Sequence, residues 1–194
     1  MTIQPVTLEG EFVRLIPMSA EHVQALWPAA SPPELWDLTV SKVRSLDDLR
    51  GFIESALADR AALPFCTVER SSGEIVGSTR FMNISPENKR VEIGSTFVTP
   101  SRQRTAINTE AKYLMFRHAF EVWGCNRVEL KTNALNTRSR QAMLRIGAKE
   151  EGTLRRHMIN ADGSVRDTVY FSVIAEEWPE VKVNLERLLR GVIG

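Results

Sequence analysis

Residues 99–109 read TPSRQRTAINT. Two arginines, Arg102 and Arg104, and one amide, Gln103, stand just ahead of a polar cluster of Thr105, Asn108 and Thr109. A long apolar stretch follows. Hydroxyl and amide side chains in front of an apolar-periodic run mark a helix start. Such a start leaves four backbone N–H groups without partners and carries about half a positive charge. Two guanidinium groups beside it add full charge. The constellation can hold an anion, a phosphate above all. A plainer arrangement uses the same residues: Thr105 or Asn108 caps the helix and the arginines are solvated. The local sequence leaves both open.

The surrounding elements must decide where that helix start points. Residues 65–70, 75–84 and 90–98 read as strands joined by the turn signals SSGE and SPENK, an antiparallel meander. The helix spans about 105–123, with Ile107, Ala111, Leu114, Met115, His118 and Val122 on one side and Tyr113, Phe116 and Phe120 on another. A helix apolar on most faces is buried. Gly124 stops it. Residues 127–132 form the next strand, so the helix is a crossover back into the sheet. Its N-terminus then faces a crevice beyond the carboxyl end of a strand. Ahead of the meander come a strand over 12–17, a short helix capped by Ser19, a Pro-rich loop over 28–40 holding Trp36, and a helix over 45–60. Behind the crossover come a helix over 137–146 stopped by Gly147, a hairpin of 151–159 and 166–174 around NADGS, and a terminal helix over 176–190.

The chain has 194 residues, 43% hydrophobic and 25% charged, and is read as a single domain over 1–194 with a sizeable core. A net charge of +1 supplies no bulk attraction to nucleic acid or membrane, so neither is expected as a partner. Cys66 and Cys125 lie far apart and lack metal spacing; they are expected as reduced, buried thiols. His22, His118 and His157 form no ligand motif, and no metal is expected. The first residues lack the cationic start and apolar run of a signal peptide, and no run is long enough to cross a bilayer. A cytoplasmic location is expected.

The order of pieces carries more than any one of them. Phe97-Val98-Thr99-Pro100 leads into Gln103-Arg104-Thr105-Ala106-Ile107-Asn108, and after the crossover come Asn136-Thr137-Arg138-Ser139, Ile146-Gly147-Ala148 and Glu151-Gly152. In this layout the sequence resembles the GNAT acyltransferase superfamily, nearest its branch of ribosomal-protein amino-terminal acetyltransferases. The pieces INTEAKYLMFRHAFEVWGCNRVELKT, NTRSRQAMLRIGAKEEGTLRRHM, DGSVRDTVYFS and EEWPEVK carry the resemblance. It implies a mixed α/β fold, a splayed and mostly antiparallel sheet of about seven strands flanked by helices. It also implies acetyl-CoA in the splay as co-substrate and a primary amine, a protein N-terminus or a small molecule, as acceptor. The family loop for the pyrophosphate is Q/R-x-x-G-x-G/A. Gln103 matches its first position, while Ala106 and Asn108 stand where small loop residues belong. Binding is expected through the backbone of Gln103, Arg104, Thr105, Ala106, Ile107 and Asn108.

The resemblance assigns further roles. Glu92, on the strand leading to the loop, is the expected general base, and burial would suit a carboxylate to that task; alternatively it is a surface residue paired with Arg90. Ser139 inherits the role of acid toward the departing thiolate, since Met143 occupies the position where many members carry a tyrosine; alternatively it caps a helix or packs. Asn136 is expected on the pantetheine arm. The N–H groups of Thr96, Phe97 and Val98 are expected to meet the pantetheine amides like an added strand. Trp36 is the candidate wall of the acceptor pocket. Tyr113, Tyr170 and His118 read as core. The resulting expectation is a CoA-dependent N-acetyltransferase; the rival is an idle acyl-CoA-binding module.

Overall fold

The computed structural model describes residue 1 and residues 3–193. One sheet holds eight strands: β1 (Leu8–Glu9), β2 (Val13–Pro17), β3 (Leu63–Glu69), β4 (Ile75–Ser85), β5 (Arg90–Val98), β6 (Arg127–Asn133), β7 (Lys149–Ile159) and β8 (Val165–Ile174). Their spatial order is β1-β2-β3-β4-β5-β6-β8-β7. Five helices accompany them: α1 (Val23–Ala30), α2 (Leu46–Ala58), α3 (Ala106–Arg117), α4 (Thr137–Arg145) and α5 (Trp178–Ile193). The strand beyond the expected seven is β1. It pairs only Leu8 with Leu15 and Glu9 with Arg14, too short a run to show a period of two. The loop expected from Pro28 starts later, because α1 continues through Pro28 to Ala30 and forgoes one helical hydrogen bond there. The crossover helix also differs. It is α-helical only to Arg117, then winds as a π-helical segment over His118–Val122, and Gly124 stops it at φ 64°.

The sheet separates two apolar clusters. Phe81, Val91, Ile93, Val128 and Leu130 pack with α3 and α5 residues such as Leu114, Met115, Phe116 and Leu185. Leu26, Trp36, Leu49, Ile53, Cys66 and Phe97 form the other cluster under α1 and α2. His118 packs against the rings of Phe81 and Trp123 in the first, so it is a core residue.

Neighbouring strands are antiparallel except β5 and β6. Their parallel ladder lasts only three pairs, Arg90 with Arg127, Val91 with Val128 and Glu92 with Glu129. From there β5 runs on beside β4 and β6 runs on beside β8, so a gap opens between them. Ion pairs fix its closed end: Arg90 Nη1 to Glu129 Oε2 at 2.6 Å and Arg127 Nε to Glu129 Oε1 at 2.9 Å. A bulge in β5 accompanies the opening. Ser95 takes φ 46°, and the register against β4 shifts between Ser78 and Arg80.

The helix at this gap is tied to the far side of the sheet. Glu110 of α3, 5% exposed, accepts the backbone N–H groups of Glu11, Phe12 and Val13 at 2.7, 2.6 and 2.7 Å. Gly10 makes room for the carboxylate. A Cβ there would lie 2.3 Å from Glu110 Cδ. The tie holds α3, and with it the turn that precedes it, against β2.

Candidate active site

The start of α3 combines both arrangements open to its sequence. Thr105 is the N-cap, its hydroxyl accepting from Ile107 N–H at 3.3 Å and donating to the Arg102 carbonyl at 2.7 Å. One of the four orphan N–H groups is thereby satisfied. Arg102 is spent on Glu69, Nε to Oε1 2.8 Å. Gln103 turns back and donates to the Val98 carbonyl at 2.9 Å. Arg104 alone is exposed and has no partner among the described residues. It stands at φ 63°, the left-handed region that favours glycine. Ala106 and Ile107 bury their side chains, so they offer only backbone outward. Asn108 carries a carbonyl oxygen shielded from solvent with no hydrogen-bond partner. Two of these features suit an anionic diphosphate: a helix start and a free guanidinium. The cleft of about 180 Å³ that Thr105, Ala106 and Ile107 line suits it less, since Glu11 and Glu69 line it too.

The ladder orients the expected pantetheine strand. Thr99 N–H donates to Val76 O, and Phe97 stands opposite Ser78 two residues on. Hydrogen-bonded pairs alternate along an antiparallel ladder, so Phe97 spends its backbone on β4 while Val98 points its own toward the gap. The Gln103 contact to the Val98 carbonyl agrees. Of the three expected donors, then, Val98 offers its N–H and Phe97 does not. Thr96 lies at the bulge with an exposed side chain, its hydroxyl 2.7 Å from that of Thr79.

Glu92 sits where the gap closes, 1% exposed. Its partner is not Arg90, which belongs to Glu129. Glu92 Oε2 accepts from Asn83 Nδ2 at 2.8 Å and from Lys131 Nζ at 3.1 Å, while Oε1 is buried with no partner. Asn83 reaches it from a bulge in β4 at φ 50°. Lys131 also lies over the Tyr170 ring at 5.9 Å. Tyr170, read as core, is half-buried on this face. Arg166 is 7% exposed, with its Nε unpartnered. Burial holds its guanidinium below the usual arginine value, and the charge of Glu92 opposes that shift. This face of β5, β6 and β8 therefore gathers Lys131 and Arg166 around the Glu92 carboxylate, with Glu129 beside them held by Arg90 and Arg127.

Asn136 and Ser139 stand at the other end of β6. Asn136 is the N-cap of α4, with Oδ1 accepting from Ser139 N–H at 3.0 Å. Ser139 is thus not the cap; its hydroxyl makes no hydrogen bond among the described residues and is half-buried. No hydrogen bond links this pair to Glu92. Trp36 is a correction to the expected acceptor wall. It is 5% exposed, donates its indole N–H to the Ala30 carbonyl at 2.8 Å, and packs on Phe52 and Phe97. It supports β5 from below.

Three residues at the site escaped the sequence reading. Asn83 and Lys131 hold Glu92; Lys131 alternates with Leu130, and strand period alone could have placed it beside Glu129 on that face. Lys112 lies on α3 among Ala111, Leu114 and Met115, 7% exposed, and donates to Thr96 Oγ1 at 2.8 Å. A lysine on a buried helical stripe was the available signal. Burial pulls its amine down to about 7. Among the described residues no group of histidine, cysteine and carboxylate side chains could hold a metal, and no helix is long and apolar enough to cross a membrane.

A sheet that splays around a helix start, with a buried carboxylate where the splay closes, is the architecture of a CoA-dependent acyltransferase. A profile of the Acetyltransferase (GNAT) domain matches residues 13–149, and the chain belongs to that family. It is an acetyltransferase. A Bacillus subtilis protein provisionally named ribosomal N-acetyltransferase YdaF is 31% identical over 106 residues, which span 55% of this chain and 57% of that protein. A GCN5-related N-acetyltransferase from Brucella melitensis superposes with a TM-score of 0.91 at 31% identity, over 96% of this chain and 86% of that one. Mycobacterium smegmatis RimJ, solved in complex with CoA-disulfide, shares the fold with a TM-score of 0.79 at 24% identity, over 95% of each chain.

Proposed function

We propose that the chain transfers the acetyl group of acetyl-CoA to a primary amine, a protein N-terminus or a small molecule, with Glu92 as general base. The observation that carries this reading is the Glu92 carboxylate, buried where β5 and β6 part, with one oxygen held and the other buried without a partner. The ribosomal-acetyltransferase name of the Bacillus relative supports a protein N-terminus, and the CoA-disulfide in the Mycobacterium structure supports the donor.

Acetyl-CoA brings an acyl group already activated as a thioester. Arg104 and the open N–H groups at the start of α3 hold the diphosphate. Val98 N–H and the free amide nitrogen of Asn136 hold the pantetheine arm. Asn83 and Lys131 fix Glu92 Oε2, so Oε1 is the atom that takes a proton from the incoming ammonium, directly or through one water. The neutral amine then attacks without any covalent enzyme intermediate. Ser139, with its hydroxyl uncommitted, gives its proton to the departing sulfur and takes the one that the acylated nitrogen sheds. Arg166 and Lys131 make the acceptor face cationic, which disfavours a second ammonium beside the reacting one.

Thiol release from acetyl-CoA, followed across a panel of peptides and small amines, tests the reading. Amine-dependent release supports it. Tight acetyl-CoA binding with no release for any amine supports the idle binding module instead.

A further inference from the structure

Among the described residues Lys112 is the one buried lysine, and the chemistry above gives it nothing to do. Its Nζ donates to the Thr96 hydroxyl, and Thr96 is itself exposed on the β5 segment that borders the gap. The surrounding charges are engaged elsewhere. Glu110, on the same helix, is held by three backbone N–H groups of β2 and the residues before it. Arg145 of α4 donates to Thr109, and Glu186 of α5 accepts from Tyr113. Glu92 of β5 and Lys131 of β6 pair with each other. The β4 neighbour is the uncharged Thr79. One turn earlier on α3, the Asn108 Oδ1 is buried without a partner. Loss of water alone, with no nearby charge to offset it, lowers the lysine to about 7. About half the amine is then neutral at neutral pH, and a neutral amine is a nucleophile.

We propose that Lys112 is a self-acetylation site, an internal amine that takes the acetyl group from acetyl-CoA bound in the gap between β5 and β6. This rests on the reading of that gap as the acyl-CoA site. Lys112 Nζ bonds to the thioester carbonyl carbon, the carbon–sulfur bond breaks, and CoA leaves as thiolate. The proton released from nitrogen passes to that sulfur, giving an uncharged Nε-acetyl-lysine and free CoA. The acetamide then occupies the edge of the gap and slows further turnover.

The full chain is incubated with acetyl-CoA and no acceptor, at about pH 6 and about pH 8, either side of the shifted lysine value. Acetyl groups are located by peptide mass spectrometry, and acetyl-CoA binding is measured in parallel by calorimetry. The expected result is acetylation of Lys112 faster than of the exposed Lys89 and Lys149, and faster at the higher pH. Lys112→Arg should bind acetyl-CoA yet carry no acetyl group at this position. In the nucleotide-free protein, the carbon-13 shift of Lys112 Cε should titrate well below the other lysines. Acetyl-CoA binding and amine-dependent thiol release, with Lys112 labelled no faster than Lys89, overturn the inference and leave the acetyltransferase reading standing. A Lys112 that titrates with the other lysines overturns it too. Absence of acetyl-CoA binding overturns both.

Discussion

Replacing Lys112 by Met removes a buried amine and keeps the length of its chain. The folded protein holds the Lys112 amine at about 7, against an ordinary lysine value of 10.5. Between those values the unfolded chain binds more protons than the folded one, so this residue makes stability rise with pH across the window. Each unit of difference corresponds to about 1.4 kcal/mol. Working the two titrations through from about pH 7 to about pH 9 gives a gain of roughly 2 kcal/mol in the native protein from this group. The Met variant has no such term. It should be the more stable protein at neutral pH, despite losing a hydrogen bond to Thr96 worth about 1 kcal/mol. Its advantage should shrink by roughly 2 kcal/mol by about pH 9. Urea unfolding of both proteins at the two pH values measures the difference directly, and titrations common to both cancel. Parallel pH dependence in the two proteins would refute the argument that Lys112 is held in a dry, uncompensated position.

Gly10→Ala places a methyl on the Glu110 carboxylate and breaks its three backbone contacts; a loss of about 2–4 kcal/mol is expected by urea unfolding. Arg104→Gly should relieve a left-handed residue and raise stability by about 1 kcal/mol, while acetyl-CoA affinity measured by calorimetry falls by about 1–2 kcal/mol through the lost charge. Asn136→Ala should cost about 1 kcal/mol of stability as a lost N-cap, whereas Ser139→Ala should leave the unfolding curve unchanged and reduce turnover. Burial pushes the Cys66 thiol up to about 12 and the Cys125 thiol up to about 11, so both should resist alkylation in the native protein at neutral pH and react once urea unfolds it.

Much of this arrangement was legible in the sequence because it is local. The three-strand meander, the crossover after Val98 and the stop at Gly124 follow from turn residues and apolar period, and they place the start of α3 beside β5. The engagement of side chains around that start was not legible. Arg102 and Arg104 look alike in sequence, yet Glu69, thirty-three residues away, claims the first and leaves the second free. The placing of Glu92 depends on a bulge that swings Asn83 toward it and on a parallel ladder that ends after three pairs. Trp36 looked available because it sits in a Pro-rich segment, but the helices on either side fold it under Phe97. Long-range packing decides such cases, and spacing in the chain does not record it.

Glu92→Gln asks the most direct question of the proposed chemistry. The amide keeps the shape of the carboxylate and can still accept from Asn83 and Lys131, but it cannot take a proton. Calorimetry and amine-dependent thiol release are run on the same preparation of the variant. The account predicts acetyl-CoA affinity close to that of the native protein, with turnover lower by about 10²-fold or more and the acidic limb of the pH profile gone. Full turnover with an unchanged pH profile would contradict it, and Glu92 would then be a structural partner of Lys131 rather than the base.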